Sequence, residues 1–194
     1  QPFDGAGRYI RPTLWVAAVR AALGRPTVLH GVDTLAPKNG VSEQQILERL
    51  GASTDLDLQN AAALLADPVV GMAYVSQRQY APGLYRLRQL RAHIAKRPVW
   101  ATTEKTQRLF SCTGRNCMVV GFYHRGYEEK MLHLMRRYDL DAGLAIKGEE
   151  GSSHYALRLG KASDTERRAI NYTRGFCRVD GGIQEIEVDV QPKD

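Results

Sequence analysis

The chain is short of several things. Its 194 residues include only 3 cysteines, Cys112, Cys117 and Cys177. An odd count without a metal-type CxxC pair argues against a disulfide framework and against a zinc ribbon, and it fits a reducing compartment with three free thiols. No run of about eighteen apolar residues occurs, so no transmembrane helix is expected. There is no initiating Met and no apolar core of a signal peptide. The sequence opens at Gln1 as though inside a domain, and an upstream part is expected to be missing. Internal repeats and long low-complexity tracts are absent too. Acid is outnumbered, 21 residues against 27 basic ones, a formal charge of +6. The resulting pI of about 9.3 favours anionic partners such as phosphorylated ligands, nucleic acid or an acidic protein face. A solvated basic surface accounts for the same excess.

What is present is enough apolar residue, 43%, for one ordinary core and a small subdomain. The organising stretch is 27–51. Thr27-Val28-Leu29 reads as a short buried strand, and His30-Gly31 stands where it should end. A Pro/Lys/Asn/Gly loop leads into a helical segment, 41–50, with Ile46, Leu47 and Leu50 on one face and Glu43, Gln44, Glu48 and Arg49 on the other. Ser42 with Gln45 makes a capping box, and Gly51 is a C′ stop. In open α/β sheets ligands sit at the carboxyl ends of strands, which makes His30 and Gly31 candidate ligand contacts. Upstream, Gly5-Ala6-Gly7 precedes a helix that Pro12 can start and Gly24 can close. Glycine amides before a helix can cradle a phosphate, although an ordinary tight turn uses the same residues.

Further along, 55–67 is helical and 69–75 a strand. The segment 78–97 is the most basic part of the chain. Pro82 can start a helix there, with Leu84, Leu87, Leu90 and Ile94 as its apolar stripe. Its arginines, Arg88, Arg91 and Arg97 among them, are candidates for phosphate or carboxylate, against the plainer reading of a solvated face. A buried strand over 116–122 is followed by a turn with His124, a helix over 128–138 and a strand over 142–146. Glu149-Glu150 then stands at a strand end, where paired carboxylates suit a hard cation. Segments 155–160, 177–180 and 183–190 alternate like antiparallel strands, with Asp180-Gly181-Gly182 as a hairpin turn and 161–175 as a polar loop or short helix.

In this order the features resemble the anthranilate phosphoribosyltransferase family, glycosyltransferase family 3 of the nucleoside phosphorylase/phosphoribosyltransferase class. The matching residues are Leu29-His30-Gly31-Val32, Lys38-Asn39-Gly40, the Ile46 to Gly51 helix end, Tyr80 with Pro82, and Ala95-Lys96-Arg97-Pro98. They are closest to divergent branches. The resemblance implies a phosphate loop at Gly5 and Gly7, with Thr13 in a second phosphate-binding position. It implies an acceptor-binding arginine at Arg88 or Arg91, a further one at Arg97, and magnesium held at Glu149 and Glu150. In an alternative register Gly151-Ser152 replaces the acidic pair and the metal site is gone. The phosphate-loop acid and the strand-end lysine of the family are absent here.

The expected fold is α/β: a mostly parallel sheet flanked by helices, with antiparallel C-terminal strands. The expected organisation is one domain over 1–194, with 41–68 contributing to a small helical subdomain. The implied activity is pentosyl transfer from phosphoribosyl pyrophosphate to an aromatic amine, with Mg2+ when active, and weak or lost. The alternative is a non-catalytic binding protein or complex subunit whose basic surface meets nucleic acid or a partner protein. The family implies a homodimer, and cytoplasm or plastid stroma as the compartment.

Overall fold

The structure is a computed structural model in which residues 5–7, 11–94, 97–148, 151–155 and 171–190 are described. The chain divides into two compact units, Gln1–Lys105 and Thr106–Asp194.

In the first unit, α1 (Thr13–Ala22) leads to β1 (Thr27–Gly31), α2 (Glu43–Arg49), α3 (Leu58–Ala66) and β2 (Met72–Ser76). Short helices α4 (Gln77–Tyr80), α5 (Pro82–Arg86), α6 (Arg88–Ile94) and α7 (Ala101–Lys105) follow. β1 and β2 pair in parallel, with Val28 opposite Ala73 and Gly31 opposite Ser76. Leu14 and Ala17 of α1, Leu29, Leu47 and Tyr74 form the core between helices and strands.

Local chemistry sets the ends of these elements. The Ser42 hydroxyl accepts from the Gln45 amide while the Gln45 side chain accepts from the Ser42 amide, the reciprocal capping box read from the sequence. Gly51 then turns left-handed, φ +80°, and Ala52 N–H donates back to Leu47 C=O at 2.9 Å, which closes α2 in a Schellman motif. Asp57 caps α3 by accepting from the Asn60 amide at 2.7 Å.

Two expectations for this unit need correcting. Val69 and Val70 are not in the strand. The Asp67 carboxylate accepts from the Val69 amide at 2.8 Å and Gly71 turns at φ +57°, so a tight turn occupies these positions and β2 starts at Met72. The apolar stripe of the basic segment is not a core face. The helix breaks at Leu87, and Leu87, Leu90 and Ile94 stay more than two-fifths exposed.

The second unit contains β3 (Cys117–Phe122), α8 (Tyr127–Arg137), β4 (Ala142–Lys147), β5 (Asn171–Val179) and β6 (Gly182–Val190). β3 and β4 are parallel; β4, β5 and β6 run antiparallel in that order. α8 carries Glu128 and Glu129 in its first turn and Arg136 and Arg137 in its last, in the sense that the helix dipole favours. It lays Met131, Leu132 and Met135 on Val120, Phe122, Tyr172 and Phe176. Asp180 and Gly181 both have positive φ, 47° and 80°, as a two-residue hairpin of this hand requires.

Residues 171–175 were expected in a loop or short helix, but they open β5. Tyr172 and Phe176 are both buried on one strand face, a period of two that the intervening Arg174 and Gly175 mask in the sequence. Of the strand expected over 155–160, residues 156–160 lie outside the described residues. The class is α/β, with antiparallel C-terminal strands. Among the described residues no helix is long and apolar enough to cross a membrane.

Candidate functional site

Because β1 and β2 are parallel, their carboxyl ends emerge on the same side. His30 and Gly31 end one strand; Val75 and Ser76 end the other. The chain then turns at once into α4, and that single turn brings Tyr80 back over β1. The Tyr80 hydroxyl lies 2.9 Å from His30 Nδ1, and the two rings meet edge to face with centroids 5.4 Å apart. Burial pushes the His30 imidazole well below its ordinary range and pushes the Tyr80 phenol up, with the Glu104 carboxylate adding to the second shift. Both groups are therefore neutral near pH 7. The pair can accept or donate a hydrogen bond at the strand end, but it carries no charge with which to hold an anion.

Behind this pair is a polar cluster inside the unit. Gln77 Nε2 donates to Glu104 Oε1 at 3.2 Å, and Arg91 donates to Glu104 Oε2. Arg91 and Glu104 are each about 3% exposed, so the ion pair is out of water. Burial raises the Glu104 carboxyl, and Arg91 works against that rise. Arg11 pairs with Glu43 in a similarly enclosed setting, whereas Arg78 meets Asp55 at 2.6 Å in the open. From β2, Tyr74 donates to Gln44, and Gln44 and Thr54 both donate to Glu48. Those two donors hold the Glu48 carboxyl below its ordinary range, the Gln44 bond first.

The glycine segment reaches the strand end through a loop. Gly5 and Gly40 are backbone against backbone: a Cβ at Gly40 would meet Gly5 C at 2.6 Å, and Gly5 itself has φ +88°. Ala6 and Val41 form an antiparallel bridge, and the Ser42 hydroxyl donates to Asp33 C=O at 2.8 Å, two residues past Gly31. Asp33 also has a buried carboxylate oxygen with no hydrogen-bond partner.

Of the residues singled out in the sequence, the structure places Gly5 on this loop, Gly7 exposed beyond the bridge, and Thr13 at the first turn of α1. His30 and Gly31 are at the strand end. Arg88 lies with its guanidinium 3.7 Å from the Tyr85 ring centroid and Arg97 is exposed. Arg91 is committed to Glu104. Sequence reasoning did not place Tyr80, Gln77 and Glu104 together, because a contact 50 residues long, such as His30 to Tyr80, leaves no local signal. The cues for Tyr80 were its place with Pro82 in the family resemblance and its position four residues beyond a strand end.

The second unit has a strand end of its own. A Cβ at Gly121 or Gly148 would lie 1.9 or 2.0 Å from Ser152 C=O, so the loop at Ser152 rests directly on β3 and on the residue that follows β4. Ser152 Oγ is 2.8 Å from His154 Nδ1, and His124 is an exposed turn residue edge-on to Tyr123. Tyr172 donates to Glu128 at 2.9 Å, and its phenol is pushed up to about 12 by burial and then by that carboxylate. Glu149 and Glu150 lie outside the described residues. Among the described ones, no three His, Cys, Asp or Glu side chains gather as a metal site.

Part of this chain is similar to anthranilate phosphoribosyltransferase. The Azospirillum brasilense protein of that name is 27% identical over 155 residues, 76% of this chain and 39% of the relative. Anthranilate phosphoribosyltransferase 2 of Ralstonia nicotianae is 24% identical over 148 residues, covering 76% and 41%. An uncharacterized protein of Aquifex aeolicus is 28% identical over 152 residues, covering 77% and 42%. The relationship is distant, and the chain spans about two-fifths of the length of these relatives. No family model matches it.

Proposed function

We propose that this chain is a divergent phosphoribosyltransferase-like protein in which pentosyl transfer from phosphoribosyl pyrophosphate to an aromatic amine is weak or lost. The scaffold side of the reading is supported by the distant similarity to two proteins named anthranilate phosphoribosyltransferase and by the parallel strand end that carries His30-Gly31. The observation that carries the loss is the buried ion pair of Arg91 with Glu104. An arginine that binds the acceptor's carboxylate needs a charge that is not already balanced within the fold. Arg91 is balanced inside the fold, and the strand-end pair of His30 and Tyr80 is neutral. Any magnesium would rest on Glu149 and Glu150.

Titration calorimetry with phosphoribosyl pyrophosphate and Mg2+, beside a transfer assay with anthranilate as acceptor, tests this reading. Binding no tighter than about millimolar, with no turnover, is expected. Micromolar binding accompanied by turnover would overturn it.

A second reading is a non-catalytic binding protein that uses the 78–97 segment on nucleic acid or an acidic partner. Arg86, His93 and Arg97 are exposed there. Its signature is polyanion affinity that falls steeply with salt as counterions are released, and a flat salt profile rejects it.

A further inference from the structure

The loop after β1 carries a carboxylate at the place where the sequence pattern would put an anion. Asp33 stands two residues beyond Gly31, and its Oδ1 is buried without a hydrogen-bond partner. A buried polar atom left unpaired is uncommon, because nothing repays its lost hydration. The backbone holds the acid in this place. The Asp33 carbonyl accepts from Ser42; Val41, one residue before, bridges to Ala6, and Gly40 packs on Gly5. Asp33 therefore sits where the end of β1 meets the glycine segment. The arginines of this unit that form ion pairs are committed to other acids: Arg11 to Glu43, Arg78 to Asp55 and Arg91 to Glu104. Arg78 feels both Asp55 and, more weakly, Asp33, and one guanidinium between two carboxylates leaves a negative charge unbalanced. The Tyr74 phenol is pushed well up by burial first and then by Glu43, with Tyr80 and Asp33 adding to it, so the Asp33 carboxylate and the Tyr80 hydroxyl both act at the same end of the two strands.

We propose that Asp33 is a specificity-determining residue whose carboxylate, between the end of β1 and the glycine segment, turns pyrophosphate away from this strand end. This rests on the reading that transfer is weak or lost, and it names the residue that weakens binding of the leaving group. The reason is Coulombic. Backbone amides attract an anion through partial charges, about half an elementary charge even where a whole helix aligns them. A carboxylate carries a full charge of the opposite effect, and it acts more strongly where water is excluded. Pyrophosphate brings several negative charges, each repelled by the same acid. The neighbouring pair of His30 and Tyr80 is neutral and offsets none of this.

Titration calorimetry of the 194-residue chain with inorganic pyrophosphate tests the role of Asp33. The unaltered chain should bind at about millimolar or weaker. Asp33→Asn keeps the shape and removes the charge, and it should bind at least about tenfold tighter. Asp33→Glu keeps the charge and should bind no tighter. Oδ1 has no partner to lose, so the asparagine variant is expected to fold, which circular dichroism checks. Should it not fold, Asp33→Ala decides as the second neutral variant. Neutral variants that gain no affinity overturn the proposal, and so does equal tightening in Asp33→Glu or micromolar binding by the unaltered chain. The two readings fail separately: turnover by the unaltered chain sinks the loss of transfer, whereas an inactive chain whose neutral variants gain nothing sinks the role of Asp33 alone.

Discussion

His30 Nδ1 and the Tyr80 hydroxyl are hydrogen-bonded at 2.9 Å across the ends of two parallel strands, and burial keeps the imidazole neutral. The folded pKa is thus lower than the ordinary value of 6.5. The unfolded chain takes up a proton below about pH 6.5 while the folded one resists it, so stability is complete above that value and is lost as pH falls toward the folded pKa. Thermal melts between about pH 7.5 and 5 should show this decline, and His30→Gln should flatten it. A decline of unchanged size in the variant would assign it to other groups.

Arg91 and Glu104 are a buried pair, and removing one partner strands the other charge. Arg91→Met is expected to cost about 3–5 kcal/mol in urea denaturation. The double variant Arg91→Met with Glu104→Leu should recover most of that loss, since two apolar side chains can fill the same volume without a desolvated charge. Equal losses in the single and double variants would argue against an energetic coupling between the two.

Glycines at two positions should respond in opposite directions to the same substitution. Gly40→Ala drives a Cβ to 2.6 Å from the Gly5 backbone, which cannot yield as a side chain would, and a loss of about 2 kcal/mol or more is expected. Gly83 lies in α5 with nothing within 4 Å of a built Cβ, so Gly83→Ala should stabilise by about 0.5–1 kcal/mol through helix propensity. Differential scanning calorimetry reads both signs.

Ser42 serves two partners at once, the Gln45 amide of α2 and the Asp33 carbonyl beyond β1. Ser42→Ala removes both bonds at a site only 4% exposed, and a cost of about 1–2 kcal/mol is expected. Amide exchange should quicken first at Gln45 and at the start of α2. Exchange that quickens evenly across the unit would show that the cap is not a local anchor.

Elements set by neighbours in sequence were legible before any coordinates. The capping box of Ser42 and Gln45, the Gly51 stop and the Asp180-Gly181 turn all appear where their residue types require them, because each depends on bonds spanning only a few residues. Boundaries failed where a side chain acted against the pattern. Asp67 caught the Val69 amide and held two valines out of β2, and Arg174 hid the alternation of Tyr172 and Phe176.

The charges were the least legible part. Nothing in the order of residues distinguishes Arg91, buried on Glu104, from Arg97, exposed a few residues on. The sequence by itself determined the α/β class, the parallel strand with His30-Gly31 at its end, and the caps, since propensity, periodicity and capping are local. Only the tertiary structure decided that Tyr80 returns to His30, that Arg91 is neutralised within the fold, and that Trp15, Val16 and Val19 of α1 are exposed while Leu14 and Ala17 are buried. Each of those depends on segments far apart in the chain being brought together, and the free energy of a charge or an apolar face is set by what then lies against it.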